Sequence, residues 1–325
     1  MGIEGKVAAE AQHPFGLAPP QASVPTAHFA VPALFVVLWS TGFIGARLGL
    51  PHAGPFTFLT LRYALAAALL VLVALVTRAP WPTRPADLGH YALAGLLVHG
   101  IYLGGLFVGI SLGVETGIAA LIVGLQPLLT AALAGVFLGE RITRSQWLGL
   151  GLGLLGVVLV LERKLGQRPG DAFGSIACIV ALFAITAGTL YQKRYCERMD
   201  LCTGSVMQFA AAGVATAPFA LVFEDMHVEW TGEFVFALLW LVLVLSLGAV
   251  TLLYVLIRRD AATQVASLFF LVPPCTALIA WPLFGETLGF AALAGMGLTA
   301  FGVALSRHSR LCSGGTPRAR SVVRT

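Results

Sequence analysis

The stretch GIAALIVGLQPLLTAALAGVFLGE at residues 117–140 returns in outline as TQVASLFFLVPPCTALIAWPLFGE at 263–286. A shift of 146 residues carries Pro127 onto Pro273 and Gly139-Glu140 onto Gly285-Glu286. The same shift carries Gly149, Gly151 and Gly156 onto Gly295, Gly297 and Gly302, and 14 of 44 positions across 117–160 are identical. Nearer the N-terminus it pairs Gly42 with Gly188, Arg47 with Lys193, and Arg62-Tyr63-Ala64 with Gln208-Phe209-Ala210. Apolar composition inflates identities, but one gap-free offset from the first apolar run to the last points to a duplicated unit.

The solvent of that unit is lipid. Of 325 residues, 58% are hydrophobic and 11% charged, and the mean hydropathy is +0.88. Soluble domains carry roughly 25% charged residues, and a spanning helix needs about 20 apolar ones. Apolar runs fall near 30–50, 56–76, 88–112, 115–138, 145–161, 172–193, 203–223, 234–257, 261–284 and 288–306. Turn residues separate them, as at Pro51–Pro55, Pro80-Trp81-Pro82 and Pro169-Gly170-Asp171. The fold class expected is therefore an all-α integral membrane protein, with ten transmembrane helices as two inverted five-helix repeats. Residues 30–162 form the first repeat and 172–306 the second, joined by a linker at 163–171. Residues 1–29 and the basic 307–325 read as disordered tails, with no signal peptide at the start.

Inversion follows from counting. Five helices per unit is an odd number, so the second unit enters the membrane upside down. Inverted repeats place a site near the midplane between the halves and permit alternating access. With the N-terminus inside, the inner loops hold Arg78, Arg84, Arg141, Arg144, Lys193, Arg194, Arg198, Arg258 and Arg259. The outer loops hold Arg163, Lys164 and Arg168, and the outer 224–233 loop is acidic. Positive charge stays inside, so both termini are expected in the cytoplasm of a multi-pass cell (inner/plasma) membrane protein. The net charge of +5 is accounted for by this topology rather than by nucleic acid.

The segment Trp39-Ser40-Thr41-Gly42-Phe43-Ile44-Gly45-Ala46-Arg47 resembles the first helix of EamA-type proteins of the drug/metabolite transporter superfamily. Phe58-Leu59-Thr60-Leu61-Arg62-Tyr63 resembles the opening of their second helix. Pro, eleven residues, then Gly-Glu is also similar to that domain, and it occurs twice. The resemblance covers about residues 30–306. It implies a ten-helix carrier moving amino acids, metabolites or toxic compounds outward. The second copy departs from the first, with Gln208 where the first has Arg62 and Ile185 where it has Trp39, so a polar site is expected to be asymmetric.

The candidate binding residues are the polar and aromatic groups inside apolar runs. Arg62 lies about seven residues past Pro55, roughly 10 Å into the membrane. A charge at that depth marks a functional site, and the competing reading is an arginine snorkelling to the interface. Trp39, Ser40 and Thr41 offer an aromatic face and two hydroxyls, against a reading as helix-helix glue. Tyr63 neighbours Arg62, and Gln208 is its counterpart in the second copy. Tyr102 and Tyr254 sit well inside their runs, where interface-belt tyrosines do not. Gln126 precedes the kink-forming Pro127, and Gln264 opens the ninth run. Among the histidines His52, His90 and His99, only His99 reads as buried. Gly100, Gly104, Gly105, Gly109 and Gly113 give overlapping GxxxG spacings for close helix approach.

The function expected is a secondary-active transporter, an exporter of an amino-acid-like or drug-like metabolite, with an importer or exchanger as alternative. A GxxxxGK[ST] loop is absent, so ATP drive is not expected. No paired-Asp or HExxH motif and no Cys/His cluster points to an enzyme, a metal or a cofactor. A channel is the third class. The partners expected are the bilayer and a small-molecule substrate; protons or a counter-substrate, and pairing as a homodimer, stay open.

Overall fold

The computed structural model describes residues 26–138, 171–259 and 268–285, with isolated positions at 148, 155, 294 and 297. Proline, glycine and capping side chains set several of the helix ends. α1 covers Thr26–Gly49, with Arg47 in its last turn, where a cation suits the negative end of the helix dipole. α2 (Pro55–Thr77) opens on a proline, whose missing N–H costs nothing in a first turn. It stops at Arg78, whose φ of 52° turns its N–H back onto Ala74 O and Leu75 O. α3 (Pro85–Ser111) opens the same way. Gly113, at φ 103°, makes the short turn into α4 (Thr116–Val123) and α5 (Gln126–Leu138). α6 covers Asp171–Tyr195 and α7 covers Leu201–Phe223. Asp200 caps α7 by accepting from the N–H groups of Cys202 (3.0 Å) and Thr203 (2.9 Å). α8 runs through Gly232–Leu239, Trp240–Ala249 and Val250–Arg259. A 3₁₀ turn at Phe269–Leu271 leads into α9 (Val272–Phe284), which ends at Gly285 with φ 64°.

Among the described residues there is no strand, only an isolated antiparallel bridge between Ala53 and Val228. Among the described residues six helices are long and apolar enough to cross a bilayer, and the apolar helices Thr116–Thr130 and Phe269–Phe284 are shorter. The expected runs at 145–161 and 288–306 lie outside the described residues apart from isolated positions. The described part thus carries eight of the ten expected apolar segments. The fourth of these, expected as one run over 115–138, breaks at Gly124-Leu125. Pro127 is the reason, because it has no N–H and its ring collides with the carbonyl of Val123. Its counterpart Pro273 follows the 3₁₀ turn at 269–271, so both copies interrupt the fourth helix at the same place.

Both third helices share a second irregularity. α3 takes a π-helical turn at Leu96–Ile101, and α8 does so at Trp240–Ala249. The 146-residue shift carries the first turn onto 242–247, inside the second. The Tyr102 N–H bonds Leu97 O and the Val250 N–H bonds Leu245 O, five residues back in each case. One extra residue in the turn swings the side chains that follow onto a different face.

The copies interlock. α2 packs along α7, its counterpart; α1 packs on α8 and α9, while α6 packs on α3, α4 and α5. Each first helix therefore leans on the third and fourth helices of the other copy. Glycine makes this possible at repeat-related positions. A Cβ on Gly42 would lie 3.2 Å from Leu245 Cδ1, and one on Gly188 would lie 2.6 Å from Val98 Cγ2. The outer faces carry Leu72, Val76, Val214, Phe223 and Leu278, all exposed, as a lipid-facing surface requires.

At one end of the bundle the two copies are tied by their loops. The Glu224 carboxylate accepts from Phe56 N (2.8 Å), Thr57 N (2.7 Å) and Thr57 Oγ1 (2.6 Å), capping α2 from the far end of α7. Glu229 N donates to His52 O at 2.9 Å, and the His52 ring lies 3.2 Å from Glu229 and 3.6 Å from Glu233.

Candidate functional site

A cleft, partly open at its mouth, lies where α1, α2, α3 and α8 meet. α1 supplies Trp39, Gly42 and Phe43, and α2 supplies Arg62. α3 supplies Val98, His99, Tyr102, Leu103, Leu106 and Phe107, and α8 supplies Leu245 and Val250. Both π-helical turns contribute, through Val98 and His99 on one side and Leu245 on the other. The wall is mostly aromatic and aliphatic with few polar groups, the usual make-up of a small-molecule site.

Arg62 is 4% exposed, so it does not snorkel to water. Its Nε donates to Ser246 Oγ at 3.0 Å, and the Ser246 hydroxyl in turn donates to Leu241 O at 3.0 Å across the π-helical turn. Ser246 thus fixes one edge of the guanidinium. No carboxylate among the described residues pairs with Arg62; the ion pairs there are those of His52. A buried cation without a counter-ion is costly in a low-dielectric interior.

His99 is 1% exposed and its Nδ1 has no hydrogen-bond partner among the described residues. Behind it runs a neutral polar chain. The Tyr254 hydroxyl lies 3.5 Å from His99 Nε2 and donates to Gln208 Oε1. Gln208 Nε2 donates to Gln192 Oε1 at 2.8 Å and to Met199 Sδ at 3.3 Å. The Tyr63 hydroxyl donates to His99 O at 2.7 Å, and the Phe209 ring lies 4.4 Å from the imidazole.

Comparison with known proteins bears on what such a cavity serves. The EamA-like transporter family model matches residues 29–162 and again 172–307. The chain belongs to the EamA-like transporter family. Its two EamA-like copies are the repeat read from the 146-residue offset, and it is a multi-pass membrane transporter. Over 275 residues it is 27% identical to the uncharacterized inner membrane transporter YedA of Escherichia coli, covering 84% of this chain and 88% of that one. Over 296 residues it is 25% identical to a probable amino-acid metabolite efflux pump of Salmonella typhimurium, covering 86% and 96%. A solved structure with 19% identity superposes with a TM-score of 0.66, covering 88% of this chain and 99% of that one. The last likeness concerns the fold alone.

In this EamA-like chain the sequence candidates divide into three groups. Trp39, Arg62 and Tyr102 line the cavity. Tyr63, Gln208 and Tyr254 stand behind it, reached through His99. Ser40, Thr41 and Gln126 lie elsewhere. Ser40 Oγ donates to Val36 O at 2.7 Å, and Thr41 donates to Leu38 O while accepting from the Trp240 indole at 2.9 Å. Gln126 donates to Thr189 Oγ1 at 3.0 Å, and its Oε1 has no partner among the described residues. Gln264 lies outside the described residues. The sequence reading passed over His99 as a lining group and missed Ser246. A signal existed for both: His99 is the one histidine between Tyr91 and Ser111, and Ser246 is the one hydroxyl in the apolar stretch 234–250.

Proposed function

We propose that this protein is a secondary-active transporter that exports a small metabolite by alternating access between two inverted five-helix repeats. The observation that carries the reading is the cavity itself. It is walled by both copies and holds a buried cation with no counter-ion among the described residues. The ten helices fall in 30–162 and 172–306, joined by 163–171, with both termini cytoplasmic.

Loop contacts support the inversion. The α1–α2 loop touches the α7–α8 loop through Glu224, His52 and Glu229, so those two loops share a face. At the other end of α7, Thr203 Oγ1 donates to Pro80 O in the α2–α3 loop. The loop before α7 is the repeat counterpart of the α1–α2 loop, and it lies one membrane crossing away from it. Parity supports the count as well. An even number of crossings must separate two loops on one face. Between them the described residues hold α2, α3, the broken α4–α5, α6 and α7. A sixth crossing belongs in 139–170, where the sequence places the run 145–161.

The relative named as a probable amino-acid metabolite efflux pump supports an amino-acid-like substrate and outward direction. Purified protein in proteoliposomes is expected to catalyse saturable counterflow of such a solute. Flux that never saturates would favour a channel instead, and no flux across a broad panel of metabolites and drugs would overturn the reading.

A further inference from the structure

We infer that the substrate is a small organic anion, a carboxylate seated on Arg62 with an apolar body against Trp39, Phe43 and Tyr102. The inference rests on the transporter reading above and narrows it. Ser246 holds only the Nε edge of Arg62, and neither Nη group carries a hydrogen bond among the described residues. A guanidinium presents a rigid fork that matches a carboxylate bidentately. The fork is therefore fixed on one side by Ser246 and left without an acceptor among the described residues on the other. His99, beside it in the lining, adds a second buried polar group with an unpartnered atom, Nδ1.

Charge balance sets the sign. Among the described residues no Asp or Glu lines the cavity, so an organic cation entering it would meet the like charge of Arg62. A carboxylate would supply the counter-ion that Arg62 lacks among the described residues. The ammonium of a zwitterionic amino acid would find no carboxylate, only ring faces. The rest of the lining is apolar, with Phe107, Leu106 and Leu103 behind the aromatic groups, so the body of the anion is apolar too.

The test uses three probes of one shape: 3-phenylpropionate, phenylalanine and phenethylamine. Binding to the full chain in detergent is read by calorimetry, and exchange by counterflow in proteoliposomes. The acid is expected to bind at least as well as the zwitterion and at least tenfold better than the amine. Arg62→Gln, which copies Gln208, is expected to abolish that discrimination, and Arg62→Lys to keep part of it. Equal or better handling of the amine by the wild-type protein overturns the anion assignment while leaving the transporter reading intact. If Arg62→Gln does not fold, the wild-type ranking of acid and amine decides alone. Acid binding without counterflow of any probe or of any solute in the wider panel supports the anion site and overturns the transporter reading. Binding of none of the three, with counterflow of a cationic or neutral solute from the wider panel, overturns the anion assignment alone.

Discussion

Arg62 and Gln208 hold the same position in the two copies and live in opposite surroundings. Gln208 is closed off, because its oxygen accepts from Tyr254 and its amide donates to Gln192 and Met199. Arg62 is left open, tethered through Nε to Ser246 and otherwise without a protein partner among the described residues. Duplication supplied two equivalent places beside the α2–α7 contact. One became a satisfied neutral network, and the other a charge tethered on one edge beside the cavity. A polar group in this fold is thus structural where its bonds close within the protein and available for recognition where they do not.

That contrast can be broken most severely by exchanging the roles. Gln208→Arg would bury a second cation and remove the oxygen that accepts from Tyr254. An uncompensated buried charge costs about 3–5 kcal/mol. A large drop in thermal stability in detergent, or loss of folded protein, is the expected outcome. Unchanged stability would mean that the Gln208 pocket is as adaptable as the cavity.

Removing the open charge acts on function instead. Arg62→Ala should lower exchange about 10- to 100-fold, from the ~1.5–3 kcal/mol of a hydrogen bond to a charged group. Stability should hold or rise, because an unpaired buried cation is lost. Proteoliposome rates and melting curves of the same preparation separate the two effects.

A third comparison concerns the helix crossings. Gly188→Ala places its Cβ 2.6 Å from Val98, whereas Gly42→Ala meets the flexible end of Leu245 at 3.2 Å. Overpacking costs about 1–3 kcal/mol, so Gly188→Ala should show most of that and Gly42→Ala less. Equal melting temperatures for the two variants would show that α6 shifts as freely against α3 as α1 does against α8.

The smallest effect is expected at the edge of the neutral network. Tyr254→Phe removes one hydrogen bond to Gln208, worth about 1 kcal/mol, and leaves the anion-binding edge of Arg62 untouched. A loss of exchange as large as that of Arg62→Ala would mean that the chain from His99 to Gln208 takes part in transport itself.

Some of the site was readable because polar groups in a lipid-facing sequence stand out. Trp39, Arg62 and Tyr102 were found that way, and all three reach the cavity. Ser40 and Thr41 stood out equally, yet both bond back to the backbone a turn earlier. Successive helical residues point about 100° apart, so three in a row cannot share one face. The partnership of Arg62 with Ser246 was hidden, because the two residues lie on helices of different copies. His99 was hidden among apolar neighbours, since nothing in its own helix says which face meets α1 and α2.

The sequence by itself determined the lipid environment, the duplication and the places where the chain turns. Composition, a fixed offset, and proline and glycine chemistry are local or periodic properties that need no partner. Only the tertiary structure decided which polar groups are satisfied. That depends on which helices pack together, and hence on contacts between residues far apart in the chain, as between Arg62 and Ser246. Gln208 is enclosed within its own copy by Tyr254, Gln192 and Met199, whereas Arg62 meets Ser246 of the other copy and faces the cavity.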